Sequence, residues 1–267
     1  MKLAYSPCPN DTFVFHAWTH GLIEGAPPVE VTFADIDVTN TAAELGTFDV
    51  VKVSYAALPW LLDQYRLLPT GGALGRGCGP LVLTRGGIDD LNGCTVAVPS
   101  ERSTAYLLMR LWTVGQRPAR IDIVPFAAIM AGVRDGLYDA GLVIHEARFT
   151  YPGYGLHALV DLGQWWEGDT GLPIPLGAIL AKRDLDSAAL TRTIRASLEH
   201  AWAHPELSAG YIAAHAAEMS PNVQQQHIAL YVNEFTRDLG EEGYAAVEAL
   251  LSRAYEAGLT PGNPALV

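Results

Sequence analysis

The chain has 267 residues, of which 49% are hydrophobic and 17% are charged, and its formal net charge is −12. This length suffices for one large domain or two small ones, and an acidic chain without runs of Lys and Arg argues against a nucleic-acid surface. Since no apolar run approaches the roughly 18 residues that span a bilayer and no secretory signal is recognisable, we expect a cytoplasmic protein without membrane insertion.

Strand-like and helix-like segments alternate along the first two thirds of the chain. Short stretches rich in Val and Ile predict strands that begin near Lys2, Val29, Val50, Val82, Thr95, Ile121 and Leu142. Helical patterns lie between most of them, over 11–20, 40–45, 56–65, 103–113 and 126–135. Amphipathic helical patterns without strands follow over 187–204, 205–219, 221–236 and 241–258. This order predicts a largely parallel α/β architecture with a helical C-terminal part.

The chain also contains a diverged copy of its own segments. Residues 46–55 (GTFDVVKVSY) are echoed by 136–146 (GLYDAGLVIHE), and residues 3–12 (LAYSPCPNDT) by 96–104 (VAVPSERST). Each segment combines a predicted strand with the polar loop or helix start at its end. Ligands of open α/β sheets lie outside the carboxyl ends of the strands, so two such halves facing each other predict a central cleft between two lobes.

Two extended segments, 70–80 and 172–181, predict the connections between these lobes. The chain would leave the first lobe through one and return through the other. The resulting domains are a large discontinuous lobe of 1–86 and 180–267, which takes the C-terminal helices, and a small lobe of 90–172. The glycine-rich segment 70–80 lacks the ending of a phosphate-binding loop and does not open a helix, so we expect a crossover and no nucleotide cofactor.

His145 is the strongest candidate for chemistry. It follows the apolar strand 140–144 at its carboxyl end, and a histidine is suited to taking a proton at neutral pH. A structural histidine bonded to a backbone carbonyl is the alternative. For six further histidines we expect surface or helix-end positions, and their pattern does not indicate a metal site. They are His16, His20, His200, His204, His215 and His227. Cys8, Cys78 and Cys94 lack metal-ligand spacing, which favours reduced thiols.

Lys52 and Ser54 lie in the strand of the first repeat. A lysine inside an apolar strand is costly to bury without a partner. Its predicted partner is either an acid, such as Asp35 or Asp37, or the carboxylate of a ligand. Ser54 ends the same strand and is placed to donate a hydrogen bond into the cleft.

Thr104 and Ala105 open a helix directly after the strand at 96–98. Ser103 is a good N-cap for that helix. The Thr104 hydroxyl and the amides of Thr104 and Ala105 also form a compact carboxylate site, because the helix dipole favours an anion there. Capping and ligand binding can coexist.

The ordered motifs of the chain resemble the 1,4-dihydroxy-6-naphthoate synthases of the futalosine route to menaquinone. The motifs that carry the resemblance are SPCPNDTF at 6–13, KVSYAA at 52–57, GGALGRG at 71–77, STAY at 103–106, HEARFTY at 145–151 and PIPLGA at 173–178. The resemblance implies a two-lobed fold like that of type II periplasmic binding proteins, with a central cleft and two crossover strands.

The resemblance also implies a carbon–carbon lyase that converts cyclic dehypoxanthinyl futalosine, a small carboxylate, to 1,4-dihydroxy-6-naphthoate without a metal or an organic cofactor. By similarity His145 is the general base, and the substrate-binding residues are Lys52, Val53 and Ser54 together with Thr104 and Ala105. A cytoplasmic solute-binding module for small acids and a chorismate dehydratase of the same pathway are the alternatives. The exposed faces of the C-terminal helices are compatible with a homodimer.

Overall fold

The computed structural model describes residues 1–145, 147–216 and 220–266. Its strands are β1 (Lys2–Tyr5), β2 (Glu30–Phe33), β3 (Val50–Ser54), β4 (Tyr65–Gly75), β5 (Leu81–Thr84), β6 (Thr95–Val98), β7 (Arg120–Ile123), β8 (Ala140–Val143), β9 (His157–Asp161) and β10 (Ile174–Lys182). They form two five-stranded sheets, of order β2-β1-β3-β10-β4 and β7-β6-β8-β5-β9. These are the two α/β lobes that the internal repeat predicts.

Helices connect most of the strands and make up the C-terminal part of the chain. They are α1 (Pro9–Thr19), α2 (Ile36–Glu44), α3 (Leu58–Leu61), α4 (Thr104–Trp112), α5 (Phe126–Arg134), α6 (Ala147–Thr150), α7 (Leu162–Thr170), α8 (Ser187–Ala203), α9 (Pro205–His215), α10 (Pro221–Tyr231), α11 (Glu234–Arg237) and α12 (Gly240–Glu256). None of those in the described part of the chain combines the length and the apolar character that a membrane span requires.

The local patterns locate most elements correctly. Every predicted strand begins within two residues of an observed one. The predicted helix 56–65 is wrong, because only a 3₁₀ turn over Tyr55–Ala57 and the short α3 form there. Tyr65 instead begins β4 and pairs with Lys182 of β10, a partner more than a hundred positions away that no local pattern reveals. Residues 217–219 of the predicted helix 205–219 and Glu146 of the repeat lie outside the described residues.

Both sheets are mixed, whereas the sequence predicts largely parallel ones. β1 runs parallel to β2 and β3, and β6 runs parallel to β7 and β8, as in repeated β-α-β units. The connecting strands reverse this direction: β10 is antiparallel to β3 and β4, and β5 is antiparallel to β8 and β9. In the first sheet, β4 carries the chain out of the lobe and its neighbour β10 carries it back, so these two strands are antiparallel.

The two crossover segments pack closely, and glycine permits this. A Cβ on Gly72 of β4 would lie 2.7 Å from the carbonyl oxygen of Gly177 in β10, and one on Gly79 would lie 2.1 Å from the amide nitrogen of Gly163.

The domain bounds remain a prediction, with one lobe formed by 1–86 and 180–267 and the other by 90–172. Strand pairing places Leu81–Thr84 in the second sheet and all of Ile174–Lys182 in the first.

The apolar core continues from one lobe into the other. A single cluster of buried side chains includes Val53 and Leu61 of the first lobe and Val98, Leu142 and Trp166 of the second. Helix α12 packs against both β10 and α4 and so contacts both lobes. The two lobes therefore contact each other through buried apolar side chains, and a site at their junction lies beside this packed surface.

The two copies of the repeat contain the same pattern of hydrogen bonds, in which an aspartate before one strand bonds to the backbone of a neighbouring strand. Asp49 accepts a hydrogen bond from the Lys2 amide at 2.8 Å, and its own amide donates to the Lys2 carbonyl at 3.0 Å. Asp139 accepts from the Thr95 amide at 2.8 Å and from the Thr95 hydroxyl at 2.9 Å, and its amide donates to the Thr95 carbonyl at 2.9 Å. These bonds lower the pKa of both carboxyl groups and fix the register of neighbouring strands.

Replacing Asp139 by Asn should lower the free energy of unfolding at pH 7 by about 1 kcal/mol, a value at the low end for a charged hydrogen bond because Asp139 is partly exposed. A native pKa below the unfolded one stabilises the fold above about pH 4, and this contribution is lost as the pH falls further. Denaturant titrations at several pH values should therefore show that the free energy of unfolding falls less steeply below about pH 4 for Asp139→Asn than for the parent. As a control, Asp135→Asn removes only an exposed ion pair with Arg134 and should change little. Equal losses in the two variants would contradict the role of Asp139.

Candidate functional site

A cavity lies at the junction of the lobes, outside the carboxyl ends of β1, β3 and β8. Its walls come from both repeats, since Ser6 and Lys52 of the first lobe and Thr104 and His145 of the second line it together. The enclosed volume of the cavity is about 80 Å³, and the space counted out to its open mouth is about 660 Å³. The repeat thus locates the cleft where the sequence predicts it.

Lys52 forms a buried ion pair with Asp11 on the wall of this cavity. The ammonium contacts Oδ1 of Asp11, and the two residues are only 6% and 1% exposed. Asp11 also accepts hydrogen bonds from the Ser6 hydroxyl at 2.7 Å and from the Asn10 side-chain amide at 2.9 Å. A buried charge pair is tolerated when its remaining bonding capacity is satisfied in this way.

The acid that pairs with Lys52 is not one of those predicted. The sequence predicts either an acid such as Asp35 or Asp37 or a ligand carboxylate, but the partner is Asp11 at the start of α1. The reason is strand order: β3 lies directly beside β1, so the loop that follows β1 faces the Lys52 side chain. The local sequence gives no sign of this neighbour.

Ser54 is held by a residue that the sequence analysis does not single out. Asn40 of α2 accepts a hydrogen bond from the Ser54 amide at 2.8 Å and donates to the Ser54 hydroxyl at 3.1 Å. The same side-chain amide donates to the carbonyl of Arg102 in the other lobe at 3.4 Å. Asn40 therefore links Ser54 to the second lobe. Val53 lies on the opposite face of β3, in the apolar core, and is not part of the described cavity wall.

The start of α4 also lines the cavity. Ser103 is the predicted N-cap, and its hydroxyl accepts from the Tyr106 amide at 3.1 Å. The Thr104 hydroxyl donates to the carbonyl of Leu176 at 2.8 Å and accepts from the Ala56 amide at 3.2 Å. Its proton is thus engaged in joining the lobes. The first amides of a helix have no acceptor within the helix, and the N-terminus of a helix is a place where an anion can bind.

His145 follows β8 in a left-handed backbone conformation, with φ of 53°. It is the only non-glycine residue with positive φ among the described residues. Such a conformation costs a histidine about 1 kcal/mol or more and persists at functional sites when the surroundings hold it. The ring is half-buried, contacts Phe126 edge-on at a centroid distance of 5.7 Å, and has Nδ1 3.5 Å from the Cys8 sulfur.

His227 is a site residue that the sequence analysis placed elsewhere. It lies on α10, is 1% exposed and lines the cavity, with its ring stacked on that of His145 at 6.5 Å. The predicted surface or helix-end role is therefore wrong, because α10 docks on α1 and β4 with this face inward. The sequence contains a pattern that indicates this burial. His227 is four residues from the apolar Val223 and four from Tyr231, the spacing of residues on one buried helix face.

The electrostatics of the cavity favour a neutral His227. Burial, as the largest cause, and the nearby charges of His145 and Lys52 lower the pKa of His227 to about 3. Neither of its ring nitrogens has a hydrogen-bond partner within the described part of the chain. His227 thus presents an uncharged donor and an uncharged acceptor at neutral pH.

Comparison with known proteins places these features in a family. The family model described as menaquinone biosynthesis matches residues 1–256. The chain is 62% identical to the 1,4-dihydroxy-6-naphthoate synthase of Streptomyces coelicolor, over 98% of this chain and 95% of that protein. It is 47% identical to the Thermus thermophilus protein of the same name, over 99% of this chain and 97% of that protein.

Solved structures show the same architecture. A crystal structure of an Archaeoglobus fulgidus protein superposes with a TM-score of 0.91 at 32% identity, over 97% of each chain. The periplasmic aliphatic sulphonate binding protein of Escherichia coli superposes with a TM-score of 0.70 at 15% identity, over 100% of this chain and 90% of that one. The second likeness bears on the fold alone, and it confirms the predicted periplasmic-binding-protein-like fold.

Replacing Lys52 by Met should lower the free energy of unfolding by about 3 to 5 kcal/mol, because it leaves the Asp11 carboxylate buried without its partner. Adding Asp11→Asn should recover part of that loss, which a double-mutant cycle in urea measures. Lys182→Met is the matched control, since Lys182 makes a more exposed ion pair with Asp49. The account of the pair fails if Lys52→Met costs no more than the control.

Replacing His145 by Gly should give a protein about 1 kcal/mol more stable than replacing it by Ala, because Gly adopts positive φ without a steric penalty. Both variants lack the imidazole, so their difference isolates the backbone strain. Thermal or chemical unfolding of the two proteins side by side measures it. A His145→Ala protein as stable as His145→Gly would mean that the backbone relaxes without the imidazole.

Proposed function

The chain belongs to the menaquinone-biosynthesis family, and from that premise we propose that it is a 1,4-dihydroxy-6-naphthoate synthase. The substrate in this proposal is cyclic dehypoxanthinyl futalosine, and the reaction is a carbon–carbon lyase step. The observation that carries it is that His145, on a strained backbone, and the start of α4 line the same cavity. A base and a carboxylate site in one cavity suit a substrate acid that loses a proton at a distance from its carboxylate.

The substrate carboxylate binds at the amides of Thr104 and Ala105. The helix dipole of α4 favours an anion at this end. Lys52 is the nearby alternative, but its charge is already compensated by Asp11 in the buried pair. Lys52 and Ser54 therefore contact the polar, uncharged part of the substrate.

His145 acts as the general base. It removes a proton from the sugar-derived part of the substrate and starts the fragmentation that leads to the aromatic product. Aromatisation supplies driving force, so the protein's task is to orient the substrate and to handle protons. The neutral His227 beside it can hydrogen-bond a substrate oxygen in the cavity.

Two alternative functions remain distinguishable. A solute-binding module has this fold and a cleft but needs no base, and fold alone does not determine function. A chorismate dehydratase acts on a smaller acid. His145 and the two full-length relatives favour the naphthoate synthase.

We further infer a cytoplasmic enzyme that works without an organic cofactor and forms a homodimer through its C-terminal helices. Trp202, Leu207 and Tyr255 on these helices are large apolar side chains that are 37 to 53% exposed. Sedimentation velocity tests the oligomeric state: a sedimentation coefficient of one chain across the concentration range would exclude the dimer.

The direct assay incubates the purified protein with cyclic dehypoxanthinyl futalosine and, separately, with chorismate. Ultraviolet absorption of the naphthoate product reports turnover, and calorimetry reports binding. We expect catalytic naphthoate formation from the first compound and no change of the second. Tight binding of the first compound without turnover would support the solute-binding alternative instead.

Replacing His145 by Asn should reduce kcat by about 10² to 10⁴, the range for a lost general base, with a much smaller effect on KM. Asn tolerates positive φ better than most residues, so the fold should persist. His157→Asn is the control, because His157 is an exposed histidine on β9. Near-full activity of a folded His145→Asn protein would exclude His145 as the base.

A further inference from the structure

Three side chains that ligate soft metal ions converge at the cavity. The Cys8 sulfur comes from the loop before α1, the His145 ring follows β8, and the His227 ring comes from α10. One ligand atom from each lies within 4.8 Å of the other two. The ligands thus come from three separate elements and from both lobes, which explains why no metal-ligand spacing exists in the sequence.

The separation of Cys8 and His145 fits two ligands of one ion. Sulfur binds Zn²⁺ at about 2.3 Å and imidazole nitrogen at about 2.05 Å, so a tetrahedral angle places these atoms roughly 3.5 Å apart. The observed distance from the Cys8 sulfur to His145 Nδ1 is 3.5 Å. The pair therefore needs little rearrangement to share an ion.

His227 gives an independent indication of a ligand. Both of its ring nitrogens are buried without a hydrogen-bond partner among the described residues. Burying a polar atom without a partner is costly, and such atoms are rare in folded proteins. A metal ion bound by one of these nitrogens removes part of that cost.

We propose that Cys8, His145 and His227 form a binding site for a soft divalent metal ion such as Zn²⁺, and that its occupation inhibits the enzyme. Two imidazoles and a thiolate suit zinc, and three protein ligands leave a fourth position for water or a substrate oxygen. The ion takes the lone pair that His145 needs as a base, and the Cys8 thiol releases its proton to solvent on binding. Only the inhibition rests on the proposed function; metal binding does not.

Cobalt titration tests the site without reference to activity. Metal-free protein titrated with Co²⁺ should bind one ion and develop a thiolate-to-cobalt charge-transfer band in the near ultraviolet. Cys8→Ser should abolish this band, and His227→Asn should weaken binding by at least about tenfold. Cys94→Ser is the matched control, because Cys94 is buried just before β6 with its sulfur against the carbonyls of Asp90 and Asn92, and it should leave the band unchanged.

Each outcome decides one part of the proposal. No charge-transfer band with the parent protein, or a band that persists in Cys8→Ser, overturns the site. Circular dichroism confirms that both ligand variants are folded, and the separate His227→Asn result tests the site without a cysteine change. Zn²⁺ should inhibit naphthoate formation and a chelator should restore it. Zinc bound at the site with unchanged turnover overturns the inhibition, whereas a parent protein inactive on the futalosine substrate refutes only the proposed function.

Discussion

The buried ion pair between Lys52 and Asp11 is the interaction on which the cavity depends. It joins the third strand of the first sheet to the start of α1, and the further bonds of Asp11 to Ser6 and Asn10 fix the loop between them. That loop carries Cys8 to the His145 ring of the other lobe. Because two buried charges are stable only as a satisfied pair, a change at either one disturbs the whole wall.

Duplication explains how one scaffold provides two different walls. Asp49 and Asp139 each exchange hydrogen bonds with the backbone of a neighbouring strand in the same way. The strands that follow them therefore end at corresponding positions in the two copies. The side chains at those ends have diverged. In the first copy the strand ends in Lys52 and Ser54, which are held by Asp11 and Asn40 and suit substrate contact. In the second copy it leads to His145, which suits proton transfer.

Local features of the fold and the site could be predicted from the sequence. Strand positions follow from short apolar runs, the Ser103 cap from residue type, and the exposure of His145 to the cleft from the end of its strand. Features that depend on distant neighbours could not. The partner of Lys52 is set by the order of β1 and β3, the reversed strands by the return through β10, and the burial of His227 by the docking of α10.

The central claim is that the start of α4 holds the substrate carboxylate while His145 faces the sugar-derived carbons. A crystal structure of the His145→Asn protein with cyclic dehypoxanthinyl futalosine tests it most directly, since the variant should bind the substrate without turning it over. The account predicts the carboxylate at the amides of Thr104 and Ala105 and a sugar-derived carbon within about 3.5 Å of the side chain at position 145. A carboxylate bound at Lys52, or a sugar part directed away from position 145, would contradict it.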